Sequence, residues 1–386
     1  MIDDLTRTDG DAWQNLVKQM TSGGGYTVAS GQPAVKLDAN ENAYGLPEAF
    51  YRDWLAKLEN LQLHRYPRAE WTAELRRRVA RYAGVDERQV VLGNGSDELI
   101  QALFSMLHRL KARVVIPEPT FGFYESAAEA EGIEPIYVPL GPEFLPDWEE
   151  WHSFLSDESR PWQAVILCRP NNPTGTVWPE HEVLEMLRLP RTLVVIDEAY
   201  WEFAGENLVR HLESGNLFIL RTFSKALGLA GMRIGYALSS AANAQAWQKM
   251  IQPYNLDVAA LWAATIRFDH LEDVREKVEL LRQGRDWLAA ELSRLPLRIL
   301  PSGGNFLLFE VLENPAGLTA VELQKKLFQQ GIGVRHFPWD PQLRDYLRVT
   351  VGTPAENEQF LHQLKMVLLS GGGNEVAQSG SQQKDS

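Results

Sequence analysis

LFILRTFSKALGLAGMRIGY, residues 217–236, is the stretch on which the reading of this chain turns. Leu217 to Leu220 is an apolar run with the character of a buried strand. It stops at Arg221, Thr222, Phe223, Ser224 and Lys225, and small residues and Arg233 follow. The pattern predicts a lysine at the end of a strand of a parallel sheet. A lysine taken at random is a solvated surface group. Here Thr222 and Ser224 offer hydroxyls, and Arg233 offers a planar guanidinium eight positions beyond the lysine. Together these groups suit a phosphate held beside the amine.

An amine next to a phosphate seat suits Schiff-base formation with a phosphorylated aldehyde, and pyridoxal 5'-phosphate is the cofactor of that description. Such a site also needs an acid for the pyridine nitrogen, a partner for the phenolic oxygen and a flat face for the ring. A second apolar run, Leu193 to Ile196, ends in Asp197, Glu198, Ala199 and Tyr200. Carboxylates at strand ends are commonly caps or turn formers. Asp197, however, lies 28 residues before Lys225, the length of a strand, a crossover and the next strand of a parallel sheet. That spacing lets its carboxylate face the same pocket.

DEAY at 197–200, SKALGLAGMRIGY at 224–236 and PNNPTG at 170–175 together resemble the signature set of fold type I pyridoxal-phosphate aminotransferases, and within them the histidinol-phosphate aminotransferase family. The resemblance runs from about Lys36 to about Leu369 with the motifs in order. It implies amino transfer between L-histidinol phosphate and 2-oxoglutarate, giving imidazole-acetol phosphate and L-glutamate, by a ping-pong reaction through Lys225. It implies Asp197 at the pyridine nitrogen, Asn172 and Tyr200 at the phenolic oxygen, and Ser96, Asp97, Glu98, Thr222, Ser224 and Arg233 around the phosphate. Tyr66 would reach the phosphate of a second subunit, making the unit a homodimer with shared active sites. Tyr26, Asn42, Asn305, Arg335 and Arg348 would face the substrate, Arg348 taking a carboxylate and Arg335 a phosphate. Aromatic or broad-specificity aminotransferases and threonine-phosphate decarboxylases share nearly all these motifs. A non-enzymatic regulator on the same body would be expected to have lost Lys225 or Asp197, and both are present.

Composition sets the outer bounds. The 386 residues suffice for two core-forming units, and 45% hydrophobic with 23% charged residues is ordinary for a globular enzyme. A net charge of −13 argues against a nucleic-acid surface. The single cysteine, Cys168, sits in the apolar run AVILC, so no intramolecular disulfide is possible and a reducing compartment is expected. The acidic N-terminus has no apolar segment of signal type, and no stretch reaches a membrane span of about 18 apolar residues. The expected place is the cytoplasm. Twelve scattered tryptophans read as packing.

Other segments fill in the expected α/β architecture, a large domain with a mostly parallel sheet covered by helices and a smaller α/β domain. VKLDANENAYGLP, 35–47, reads as a strand and an Asn-rich turn, and the resemblance puts Asn40, Glu41 and Asn42 at the active-site entrance, with Ala43 where a proline is usual. Val90 to Leu107 reads as a strand, a Gly93–Gly95 turn, and a helix capped by Ser96 and Asp97. Phe121 stands where the family stacks a ring on the pyridine, with Tyr124 the alternative. The expected division is an N-terminal arm, 1–45, joining the small domain; a large cofactor-binding domain, 46–265; a small C-terminal domain, 266–370; and a Gly/Ser/Gln tail, 371–386, whose composition predicts disorder.

Overall fold

Strands buried along nearly their whole length build the central layer. In the computed structural model, which describes residues 13–15, 31–156 and 162–369, the first strands are β1 (Val35–Lys36), β2 (Val90–Asn94), β3 (Arg113–Glu118) and β4 (Ile136–Pro139). They are followed by β5 (Gln163–Cys168), β6 (Thr192–Asp197), β7 (Leu217–Thr222) and β8 (Ile234–Leu238). Seven of these form one sheet in the order β2-β8-β7-β6-β5-β3-β4. Val194, Ile196, Leu217 and Ile219 feed one apolar core, and Val195, Phe218 and Leu220 feed the core on the opposite face. Successive residues of one strand point to opposite faces, so a continuous apolar run fills both layers.

β3 to β7 run parallel, as the strand spacing predicts. β8 departs from that pattern: it pairs antiparallel with both β7 and β2. The connection between β7 and β8, residues 223–233, falls short of the dozen or more residues that a parallel crossover takes. In-register pairing places Asp197 beside Cys168 on one side and Leu220 on the other. The ends of β5, β6 and β7 are thereby aligned.

The second unit carries β9 (Leu297–Ile299), β10 (Phe306–Val311), β11 (Ile332–Gly333), β12 (Arg335–His336) and β13 (Tyr346–Thr350). Its antiparallel sheet has the order β12-β13-β10-β9, and β1 pairs in parallel with β11. The long helix Leu271–Leu292, the helix Ala320–Gln329 and the helix Pro354–Leu369 cover it around a third core that includes Val35 and Leu37. The helix Ala320–Gln329 starts on a capping box in which Thr319 and Glu322 satisfy each other's backbone N–H groups.

One capping expectation is corrected. The helix after β2 spans Gly95–Arg109 with Asn94 as its N-cap and no side-chain cap, so Ser96 and Asp97 lie inside its first turn. Glu98 reaches back to the Asn94 N–H at 2.6 Å instead. Gly95 takes φ +73°, a left-handed conformation that favours glycine at the start of the helix.

Candidate functional site

The aligned ends of β6 and β7 bring the two principal candidates into one buried pocket. Asp197, the last residue of β6, is buried. Its Oδ1 accepts the Ala199 N–H at 3.0 Å and its Oδ2 accepts the Tyr124 hydroxyl at 2.8 Å. Burial pushes its carboxyl up to about 6 despite these two donors. Lys225 follows β7, its Nζ donating to the Ala39 carbonyl at 3.0 Å and lying 5.7 Å from the Tyr200 ring centre. Burial, aided by the positive Arg348, brings its amine down to about 8. Tyr200 is buried and its hydroxyl accepts from Asn40 Nδ2 at 3.1 Å.

The polar corner next to Lys225 is built from hydroxyls and backbone. Thr222 Oγ1 donates to Ser224 Oγ at 3.0 Å and accepts the Ser224 N–H at 3.1 Å. Arg233 sits at φ +51°, a left-handed conformation that a long side chain adopts at some cost. Its guanidinium is held by Asp97 Oδ2 at 2.8 Å and by Ser224 Oγ at 3.4 Å. Gly235 of β8 lies against the helix start so closely that a Cβ would be 2.5 Å from the Ser96 nitrogen. Glu98 is committed elsewhere, to the Asn94 N–H and to Asn255 Nδ2 at 2.6 Å.

Antiparallel pairing of β12 with β13 sets Arg335 directly opposite Arg348. Like charges so placed repel, and the cost is met partly by aromatic faces. Arg335 lies 5.4 Å from the Trp339 ring and Arg348 lies 5.5 Å from Phe306 and 5.6 Å from Phe337. Arg348 also donates to Asn172 Oδ1 and, at 2.6 Å, to the Asp38 carbonyl. Asn172 precedes a cis proline, one of three in the described residues.

The remaining candidates are spread around this centre. Asn42 Nδ2 donates to the Ala226 carbonyl at 3.1 Å, and Asn305 Nδ2 donates to the carbonyls of Asn40 and Glu41 at 3.2 Å each. Both amides therefore hold the entrance segment. Phe121 is half-buried, its ring edge-on to Tyr124 at 5.5 Å. Tyr124, the alternative stacking ring, is also tied through its hydroxyl to Asp197. Tyr66 stands apart, 74% exposed and stacked on the 62% exposed Tyr254 at 4.4 Å. Tyr26 lies outside the described residues.

The sequence placed Asn40 at the entrance and Tyr124 as a stacking alternative without showing that Asn40 engages Tyr200 or that Tyr124 holds Asp197, and it missed the carbonyls of Asp38 and Ala39, which receive Arg348 and Lys225. Asn40 sits at φ +52°, a conformation that asparagine tolerates better than most residues, and its place in the Asn-rich stretch was the one available signal. The arrangement fits a phosphorylated aldehyde with an aromatic nitrogen. A depressed amine, a buried acid and a corner of hydroxyl and guanidinium donors converge, and glycines at 95 and 235 let backbone approach closely.

Known proteins share this plan. The profile of the family described as aminotransferase class I and II matches residues 32–364. A histidinol-phosphate aminotransferase of Pyrococcus furiosus is 34% identical over 345 residues, covering 89% of this chain and 95% of that protein. Histidinol-phosphate aminotransferase 1 of Burkholderia lata is 36% identical over 94% of this chain and 99% of its own length. The crystal structure of histidinol-phosphate aminotransferase from Sinorhizobium meliloti in complex with pyridoxal-5'-phosphate superimposes with a TM-score of 0.79 at 24% identity, covering 91% of this chain and 99% of that one.

Proposed function

This chain belongs to the class I and II aminotransferase family, and we propose that within it the reaction is reversible amino transfer from L-histidinol phosphate to 2-oxoglutarate, yielding imidazole-acetol phosphate and L-glutamate. The chain is a pyridoxal-phosphate enzyme. Bound at the pocket, that cofactor supplies an electron sink for the carbon that bears the amino group. The observation that carries the reading is the convergence of a Lys225 amine lowered to about 8 and a buried Asp197 on adjacent strand ends, with Arg348 near enough to act on the amine.

Each residue has a definable task. Lys225 Nζ, brought down to about 8, is free as the base often enough at neutral pH to take the proton from the amine-bearing carbon and return it. Asp197, ionised above about 6, holds a proton at the ring nitrogen. Asn172 and Tyr200 serve the phenolic oxygen, and Phe121 offers a ring face. Thr222, Ser224 and Arg233, with the helix start at Ser96, Asp97 and Glu98, form the phosphate seat. Arg348 takes a carboxylate and Arg335 the substrate phosphate, each as a charge-assisted fork. Asn305 and Asn42 hold the entrance segment against them, and Tyr26 is assigned to the same side.

The proposed assembly is a homodimer in which Tyr66 completes the neighbouring phosphate seat. A stacked and exposed Tyr66–Tyr254 pair supports this, because such a surface gains from being covered. The pairing of β1 with β11 supports grouping the arm, 1–45, with the small domain, 266–370, around a large domain of 46–265. The single cysteine is buried and no described helix is long and apolar enough to cross a membrane; we assign the chain to the cytoplasm.

The test is a half-reaction. The yellow holoenzyme is mixed separately with L-histidinol phosphate, L-threonine phosphate and L-phenylalanine while its visible absorbance is followed. Rapid bleaching by histidinol phosphate alone is the expected result. Equal bleaching by phenylalanine, or carbon dioxide release from threonine phosphate, would move the substrate to a relative's chemistry.

A further inference from the structure

Asp197 is held from the side by a residue that none of the tasks above uses. Tyr124 is 1% exposed, near the start of the helix Phe123–Ala130, and its ring is fixed edge-on against Phe121. Its hydroxyl donates to Asp197 Oδ2 at 2.8 Å. Among the described residues this is the sole side-chain hydrogen bond to Asp197; the other donor is the Ala199 backbone N–H.

The direction of proton sharing follows from the surroundings. Burial and the neighbouring Asp197 carboxylate push the Tyr124 phenol well above its ordinary value, so it stays protonated and donates throughout the working range. Cys168, paired in register with Asp197, is likewise pushed up by burial and adds no charge, its thiol donating to the Pro170 carbonyl at 3.2 Å. The charged groups that act on Asp197 are Asp97, which raises it, and Lys225, which lowers it. Tyr124 is thus the largest influence that keeps a deeply buried carboxylate ionised.

We propose that Tyr124 is the positioning residue of Asp197: its hydroxyl orients the carboxylate and favours its charged form, and through that charge sets how firmly the ring nitrogen of the cofactor is held and protonated. The inference rests on the pyridoxal-phosphate reading of the pocket. A hydrogen bond to a charged group contributes enough to change an equilibrium about tenfold or more when it is lost.

The experiment compares wild type, Y124F, D197N and the double variant as holoenzymes. The readouts are the cofactor dissociation constant and the pH titration of the visible absorbance and of kcat/KM. Y124F should bind the cofactor about tenfold more weakly and move the acid limb of its profile up by about one pH unit. In the D197N background the same change should have no further effect, because the group it acts through is gone. Unchanged affinity and titration in Y124F overturn the role. So does an equal loss in both backgrounds, which marks simple packing. A wild type without a visible band would instead remove the cofactor reading itself, so the two failures are separable.

Discussion

Asp197 and Lys225 are both pushed by burial toward their neutral forms, and for Asp197 the consequence for stability is unusual. Its folded value of about 6 exceeds the ordinary 3.8, so between those values the folded state binds the extra proton and stability falls as pH rises. Above about 6 the full cost is present, roughly 3 kcal/mol as an upper figure at 1.36 kcal/mol per unit. The D197N apoprotein is therefore expected to unfold at a higher temperature than wild type at pH 7.5 and at the same temperature near pH 4, while losing activity. Thermal melts at the two pH values check this, and a variant less stable at both would contradict it. At Arg335 the expectation concerns selectivity. R335A should lower kcat/KM for the phosphorylated substrate about a hundredfold and for glutamate much less. An equal loss for both in steady-state assays would remove the assigned role.

At the scale of elements, the ends of β6 and β7 are locked by a buried ion pair. Arg221 donates through Nε and Nη2 to Glu198 Oε2 at 2.9 and 2.7 Å, lies 4.1 Å from the Trp201 ring centre, and both partners are almost inaccessible. Glu198 Oε1 also accepts the Leu208 N–H at 2.8 Å. The pair sits between Asp197 and Lys225 in sequence and fixes the register in which those two face the pocket. Removing one charge strands the other in a dry interior, at about 3–5 kcal/mol. R221M should thus lower the denaturant midpoint sharply, and R221M/E198Q should recover much of it. If the double variant were worse than the single, the stranded-charge account would be wrong.

At the scale of the whole molecule, activity is expected to depend on two chains. Subunits of K225A and Y66A, each inactive or nearly so alone, should regain about a quarter of wild-type activity after mixed refolding, since half of the random dimers then carry one complete site. No recovery in that assay, or a monomer by sedimentation at assay concentration, would exclude a shared site. Within one chain, the entrance segment joins the two units. Asn40 N–H donates to Thr350 Oγ1 at 2.9 Å on β13, Asn40 Nδ2 reaches Tyr200, and Ala39 receives Lys225.

The sequence by itself determined the parallel core strands, the lysine and aspartate at adjacent strand ends, and the class of cofactor chemistry. These follow from local runs of apolar residues and from motif spacing, and strand periodicity is a property of a few residues at a time. It did not determine that β8 would turn antiparallel or that Glu98 rather than Ser96 or Asp97 would serve the helix start. Nor did it reveal that Tyr124 would hold Asp197, Asn40 meet Tyr200, or Arg335 stand opposite Arg348. Each of those depends on register and on contacts between residues far apart in the chain, 73 positions for Tyr124 and Asp197 and 160 for Asn40 and Tyr200. Only the packed tertiary structure decides which buried polar groups must satisfy one another.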